Sequence, residues 1–228
     1  MVLKDKEKLV LALDTSHGHG SVAVVRDRNI LGEVVFDASD THSATLMPAI
    51  DYCLKVSKVQ ISDMDYFAVV IGPGSFTGLR IGLATVKAFC AATGKGVVPL
   101  TSLEVLAGAF PFSTRPILTL IDARRGEVYG ALYKMDGVRP QPLVGPFSSK
   151  PADLSKVLKG YNSSSGFIVC GTGAIRYRET IETALGNSHH FAPERWALPS
   201  ASILAFLSNQ REPIVGADLN NPVSYTHL

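Results

Sequence analysis

Residues 9–25, LVLALDTSHGHGSVAVV, are echoed in order and in length at residues 117–133 by ILTLIDARRGEVYGALY. Each stretch is an apolar run, a polar turn and a second apolar run, the signature of a β-hairpin. A hairpin that returns near the middle of a 228-residue chain points to an internal duplication, and a duplication holds both halves to one plan. In the first half, LVLAL (9–13), SVAVV (21–25) and EVVF (33–36) read as three strands whose connections are too short for crossovers, so they form an antiparallel meander. From Ser43 the period changes: Leu46, Ile50 and Leu54, beside Ala49 and Cys53, recur at helical spacing to about Val56. YFAVVI (66–71) is apolar on both faces, as the buried middle of a sheet requires. Leu79, Leu83, Val86 and Cys90 mark a helix over Gly78–Ala92, with Gly94 as its left-handed cap. VVPL (97–100) is a further strand, and TSLE (101–104) opens a short helix with capping-box spacing between Thr101 and Glu104.

The second half repeats this plan imperfectly. After its hairpin come a helix near Ala152–Leu158, the strand FIVCG (167–171) and a helix from about Ile175 to Leu185, so that CGTGA stands where IGPGS stands in the first half. NSSSG (162–166) is a surface loop inside this unit. FPFSTRP (110–116) breaks the pattern and sets a boundary between domains 1–110 and 111–228. With 46% hydrophobic and 18% charged residues, each half can bury a core. The net charge of +2, with Lys and Arg scattered singly or in pairs, argues against a strong nucleic-acid footprint. Cys53, Cys90 and Cys170 lie in apolar stretches without a C-x-x-C pair, which predicts buried free thiols and a reducing cytoplasm. MVLKDKEKLV is too short and too charged for a signal peptide, and no apolar run approaches the ~20 residues of a membrane span.

Two β-β-β-α-β-α units in tandem follow the plan of the duplicated actin-like folds (ASKHA, ribonuclease H-like; actin, sugar kinases, the Hsp70 ATPase), an α/β class in which nucleotide binds between the halves. Such a site needs backbone N–H groups that approach phosphate at glycines, and carboxylates for magnesium. The first hairpin partly qualifies: Asp14 follows the strand, Thr15 and Ser16 offer hydroxyls, and Gly18 and Gly20 permit a tight turn. Asp14 reads equally as a magnesium ligand or general base and as a turn-maker bonding its own backbone. In the second hairpin Arg124 and Arg125 stand where phosphate would meet backbone, with glycine only at 126. His17 and His19 lack acidic or cysteine partners nearby and read as a solvated hairpin tip rather than a metal pair. The motif GPGSFTG, with Gly72, Gly74 and Ser75, carries Pro73 and no Gly-Lys-Ser/Thr, so a structural strand-to-helix turn is favoured over a phosphate loop. Arg80, one turn into the helix, reads as a solvated side chain ahead of an anion contact.

LALDTS, HSATLMPAIDYCL, GPGSFTGLRIGLATVKAF and VPLTSLEVLA together resemble the bacterial TsaB family, also called YeaZ, strongly over residues 8–110 and weakly beyond. That resemblance implies a cytoplasmic subunit of the machinery that installs N6-threonylcarbamoyladenosine in tRNA, binding a catalytic paralogue, TsaD, and through it the ATPase TsaE and the tRNA. The paralogue holds its metal on an H-x-x-x-H helix, and TSLEVLAG places Ser102 and Leu106 at the corresponding positions. Serine and leucine four apart cannot grip a metal as two histidines can. The resemblance therefore implies no catalytic residue, no metal ligand and no intrinsic cofactor, with ATP and metal on the partner subunits. Asp14, Ser16, Gly72, Gly74 and Ser75 are then vestiges of a nucleotide loop. The first-domain helices become the surface for TsaD or for a second copy in a homodimer, with His42, Leu46, Ile50, Leu79, Leu83, Ala84 and Val86 as candidate contacts. The alternative from the enzyme class is an ATP- or metal-dependent hydrolase of the glycoprotease type. Family members usually end in a Pro-x-Tyr-x-Arg-like segment; this chain ends NPVSYTHL, with His227 near the arginine position.

Overall fold

Strand β1 (Leu9–Asp14), buried at all six residues, is the centre of the first of two sheets. The computed structural model describes residues 7–37, 42–161 and 166–215, the side chains at 42 and 43 excepted, so NPVSYTHL lies outside it. The strand pairs antiparallel with β2 (His19–Arg26), which pairs antiparallel with β3 (Asn29–Asp37), the meander read from the sequence. On its other side β1 runs parallel to β4 (Tyr66–Val70), which runs parallel to β5 (Gly96–Leu100), giving the order β3-β2-β1-β4-β5. Helix α1 (His42–Ser57) connects β3 to β4, and α2 (Phe76–Thr93) connects β4 to β5. The boundaries of α2 are chemical: Ser75 Oγ accepts the Gly78 N–H at its start, and at its end Gly94, at φ 71°, donates its N–H to the Cys90 carbonyl. Leu11, Val24, Leu46, Ile50, Phe67 and Val86 meet in one core, each full burial contributing about 1.5–3 kcal/mol.

The second unit repeats the sheet. β6 (Ile117–Arg124) is central, β7 (Glu127–Asp136) and β8 (Arg139–Ser149) follow it antiparallel, and β9 (Ile168–Cys170) and β10 (His190–Phe191) lie parallel on the other side, in the order β10-β9-β6-β7-β8. Strand β8 was not visible in the sequence because Pro140, Pro142 and Pro146 interrupt it; at the edge of a sheet prolines are tolerated. The helix expected near Ala152–Leu158 is a 3₁₀ turn at Pro151–Asp153 followed by the single turn α4 (Leu154–Val157). The helix expected from Ile175 to Leu185 is two, α5 (Thr172–Arg176) and α6 (Arg178–Leu185), broken at Tyr177.

The division between units falls at Leu100/Thr101 and not within residues 110–116. Helix α3 (Ser102–Gly108), capped by Thr101 and Glu104 as the sequence required, buries Leu103 and Leu106 against Ile117 and Ile121 and so belongs to the second unit. From Ser200 the chain returns to the first unit. There α7 (Ala201–Ser208) takes its caps from strands: Ala201 N–H donates to Ser21 Oγ at 3.0 Å and Ser202 N–H to Glu33 Oε1 at 3.2 Å. At its far end Tyr66 OH donates to Asn209 Oδ1 at 2.7 Å and shares a hydrogen bond with Ser208 Oγ at 3.0 Å. Cys53, Cys90 and Cys170 are free and buried. Among the described residues no helix is long and apolar enough to cross a membrane.

Candidate functional site

Because β1 and β4 are parallel neighbours, the turn after β1 and the glycine loop after β4 leave the sheet side by side. They touch. Ser75 N–H donates to the Ser16 carbonyl at 2.6 Å, and Thr15 Oγ1 donates to the Gly78 carbonyl at 2.7 Å. A Cβ on Gly74 would collide with the Ser16 carbonyl, and one on Gly82 with Thr15 Oγ1. Gly72, at φ 112°, holds a backbone conformation that side chains rarely adopt. The glycines of GPGSFTGLRIG therefore let one turn of this chain approach another, with Thr15 and Ser16 packed directly against the loop.

The hairpin turn is packed with polar groups. Asp14, Thr15, Ser16 and His17 are all buried. Asp14 Oδ1 accepts the Ser16 N–H at 2.9 Å, the turn-making bond, while Oδ2 is buried without a partner among the described residues. Burial pushes the Asp14 pKa up to about 6 against the opposing hydrogen bonds from Ser16. Ser16 Oγ and His17 Nδ1 lie 2.7 Å apart, and His17 Nε2 is buried with no hydrogen-bond partner among the described residues. Burial lowers the His17 pKa to about 4, so the imidazole is neutral at pH 7. The expectation of a solvated tip is right for His19 and wrong for His17: the approach to α2 draws the turn inward and takes His17 with it. Asp14, Ser16 and His17 bring a carboxylate, a hydroxyl and an imidazole together, but Ser16 is wholly buried and offers no face to a substrate. Among the described residues no group of three or more His, Cys, Asp or Glu side chains is placed to hold a metal.

In the second unit Asp122 Oδ1 accepts the Arg124 N–H at 3.0 Å, repeating the Asp14 device. Arg124 and Arg125 hold positive φ values of 64° and 51°, and with Gly126 at 81° they turn the chain into β7. Ser102 and Leu106 are buried, Leu106 in a cluster with Ile117 and Cys170, so this face of α3 is core. Arg80 is exposed and lies 3.6 Å over the Phe76 ring, a surface stack.

The docking residues expected on α1 and α2 need correction. Leu46, Ile50, Leu79 and Val86 are at most 2% exposed and belong to the first unit's own core. Leu83 is half-buried against that core, Ala84 faces outward, and the His42 side chain lies outside the described residues. The residues that face outward are different: Tyr52 and Val56 on one side of α1, exposed by 60% and 46%, Met47 on another side, exposed by 51%, and the stripe Phe76, Arg80, Ala84 and Ala88 on α2. Ala84, one of the expected contacts, does face outward; Met47, Tyr52, Val56 and Phe76 are not among the expected ones, because the Leu/Ile stripe beside them fits a docking face and a core equally well.

A central strand that opens an antiparallel meander on one side and has two parallel strands on the other, built twice, defines a duplicated actin-like protein. A crystal structure of an uncharacterized Pseudomonas aeruginosa protein with similarity to peptidase YeaZ shares the fold, with a TM-score of 0.79 at 24% identity over 91% of this chain and 95% of that one. A family model described as TsaD, tRNA N6-adenosine threonylcarbamoyltransferase, matches residues 32–216. The tRNA threonylcarbamoyladenosine biosynthesis protein TsaB of Bacillus subtilis is 29% identical over 203 residues, 89% of this chain and 88% of its own length. The TsaB of Haemophilus influenzae is 33% identical over 190 residues, 78% of each chain. The chain belongs to that family and, within it, to the TsaB (YeaZ) group.

Proposed function

We propose that this chain works in tRNA threonylcarbamoyladenosine biosynthesis as a non-catalytic scaffold, docking a TsaD-type catalytic paralogue and, through it, a TsaE-type ATPase and the tRNA. ATP and metal sit on those partners, and a second copy of the chain competes for the same surface. The observation that carries this reading is the closed first hairpin: Thr15 and Ser16 occupy the glycine loop from inside. The exposed apolar stripes of α1 and α2 supply a surface that a partner would cover. The test is reconstitution with the partner proteins and tRNA. Ala84→Arg places a charge that must be desolvated only in the complex, costing association several kcal/mol by order of magnitude. Its melting transition is expected to match wild type while partner binding and tRNA modification are lost; Leu83→Arg, entering the core, is expected to unfold the chain. Full modification by Ala84→Arg and by Tyr52→Glu, both folded, overturns the assignment.

A second reading has one observation in its favour, the likeness of a structural neighbour to a protein described as a peptidase. It makes the chain an ATP- or metal-dependent hydrolase of the glycoprotease type, and requires the buried Asp14, Ser16 and His17 turn to open before Ser16 can meet a substrate. Hydrolysis of ATP or of a peptide substrate above background, abolished by Ser16→Ala in a folded variant, would establish it.

A further inference from the structure

The second unit holds a cavity of about 320 Å³ between the turn that joins β9 to α5 and the segment that follows β10. Strands β9 and β10 are parallel, so their C-terminal ends open on the same side, and the crevice outside such ends is where α/β sheets accept ligands. The volume is at the low end of the ~300–1,000 Å³ of small-molecule sites and fits a metabolite. Cys170, Gly171, Ala174, Ile175, Phe191 and Ala197 give it a mainly apolar lining of small and branched side chains.

Two charged side chains of opposite sign line the same cavity, Arg178 and Glu194. The Arg178 guanidinium is held from two directions: Nε donates to Glu182 Oε1 at 2.9 Å, and the group lies 4.7 Å over the Phe191 ring. That fixes its plane and leaves the two terminal nitrogens for a bidentate carboxylate. The Glu194 side chain has neither a hydrogen bond nor an ion pair among the described residues.

We propose that this cavity binds a free α-amino acid with a small or apolar side chain, its carboxylate on Arg178, its ammonium on Glu194 and its side chain on the apolar floor. Arg178, whose Glu182 partner takes only the Nε edge, and Glu194 beside an apolar surface match the carboxylate and ammonium of a zwitterion with an apolar body. A nucleotide would set several negative charges against one arginine and face the Glu194 carboxylate; a simple amine would leave Arg178 unused. The proposal does not depend on the role in tRNA modification.

Titration calorimetry of the full chain with leucine, valine, methionine and threonine tests it. The controls are leucinamide, which lacks the carboxylate, N-acetyl-leucine, which lacks the ammonium, and adenosine monophosphate. At least one amino acid is expected to saturate a single site with Kd below about 1 mM, and neither capped form should bind. Glu194→Gln and Arg178→Gln should each weaken binding at least tenfold; Glu194 is exposed, so its variant decides the matter even where Arg178→Gln fails to fold. The proposal is overturned when no amino acid saturates the chain, when the capped forms bind as well, when Glu194→Gln binds like wild type, or when the nucleotide alone binds.

Discussion

Asp14 and Asp122 end, or nearly end, the first strand of their units, and each carboxylate accepts the backbone N–H two residues on, at 2.9 and 3.0 Å. Around that shared bond the two turns differ. Asp122 is satisfied from outside: Arg176 Nη1 donates to Oδ2 at 2.8 Å, Tyr177 OH donates to Oδ1 at 3.0 Å, and the Asp122 N–H donates to Thr172 Oγ1 at 3.1 Å. Asp14 has been drawn inward against the glycine loop and α2, where its second oxygen finds no partner among the described residues. The turn is a local device that both halves keep; the fate of its carboxylate is set by what packs on it. One half uses the turn as a wedge, the other as a surface ion-pair node.

The comparison breaks most sharply at Gly82. A Cβ there would meet Thr15 Oγ1, so Gly82→Ala is expected to cost about 3 kcal/mol, the scale of overpacking a tight core. Thr15→Ala should recover part of that loss in the double variant, because it removes the atom that is struck. In the second unit Gly126 has φ 81° and open space around it, so Gly126→Ala should cost only about 1 kcal/mol, and for backbone reasons alone. Urea unfolding of the four variants measures this; equal costs at Gly82 and Gly126, or no recovery with Thr15→Ala, would show that the wedge is not what the glycine accommodates.

Next in size is the buried charge. A carboxyl whose folded pKa of about 6 exceeds its ordinary 3.8 weakens the fold as it ionises: the stability is full below about pH 4 and is lost as pH rises through 6. His17 runs the other way. Its folded pKa of about 4, against 6.5, gives stability that is full above pH 6.5 and is lost as pH falls through 4. The two slopes oppose each other in the wild type, and single variants should unmask them. Asp14→Asn is expected to stabilise the protein at pH 7 by about 2 kcal/mol, less than the roughly 3 kcal/mol the shift represents, because the new amide also needs a partner. Its advantage over wild type should vanish by about pH 4, whereas the advantage of His17→Gln should appear only below about pH 6. Asp122→Asn should have the opposite sign, destabilising by about 1–2 kcal/mol, because its side chain is only 15% exposed and its carboxylate accepts from Arg124, Arg176 and Tyr177. Unfolding curves of the Asp14 variant that run parallel to wild type from pH 4 to 8 would contradict the burial argument.

This contrast also marks what the sequence could and could not disclose. The meander, the two long helices and the Gly94 and Thr101 caps were legible because local patterns write them: alternation, a 3.6-residue period, and residues suited to a cap. Strand β8 was hidden by prolines that only an edge position permits, and α7 by an apolar circumference that leaves no stripe, six of its eight residues being buried. The domain boundary was misplaced because Leu103 and Leu106 pack on residues that come after the break at 110–116. At the candidate site the turn-making role of Asp14 could be foreseen, yet the burial of His17 could not, since it depends on a contact between residues about sixty positions apart. The expected docking residues divide for a related reason: the sequence shows that α2 is apolar on several faces, but only the fold shows that Leu79 and Val86 point in while Ala84 points out.

The smallest expected effect concerns the second turn itself. Arg125 sits at φ 51°, in the left-handed region, where a Cβ crowds the neighbouring carbonyl at a cost of about 1 kcal/mol. Nothing in the structure repays that cost: no hydrogen bond or ion pair to the Arg125 side chain is seen among the described residues, in contrast to Arg176 on Asp122. Glycine removes the crowding but enters from a more disordered unfolded chain, a loss of about 0.5–1 kcal/mol. Arg125→Gly should therefore leave stability within about 0.5 kcal/mol of wild type, and Arg125→Asn, which tolerates the left-handed region without the entropy loss, should gain a few tenths. Both variants bring the second hairpin closer to a phosphate-binding turn, and neither should acquire ATP turnover, because the glycine loop of the first unit stays filled by Thr15 and Ser16. Measurable hydrolysis by Arg125→Gly would mean that the arginines, and not the closed first hairpin, keep this chain from acting on nucleotide.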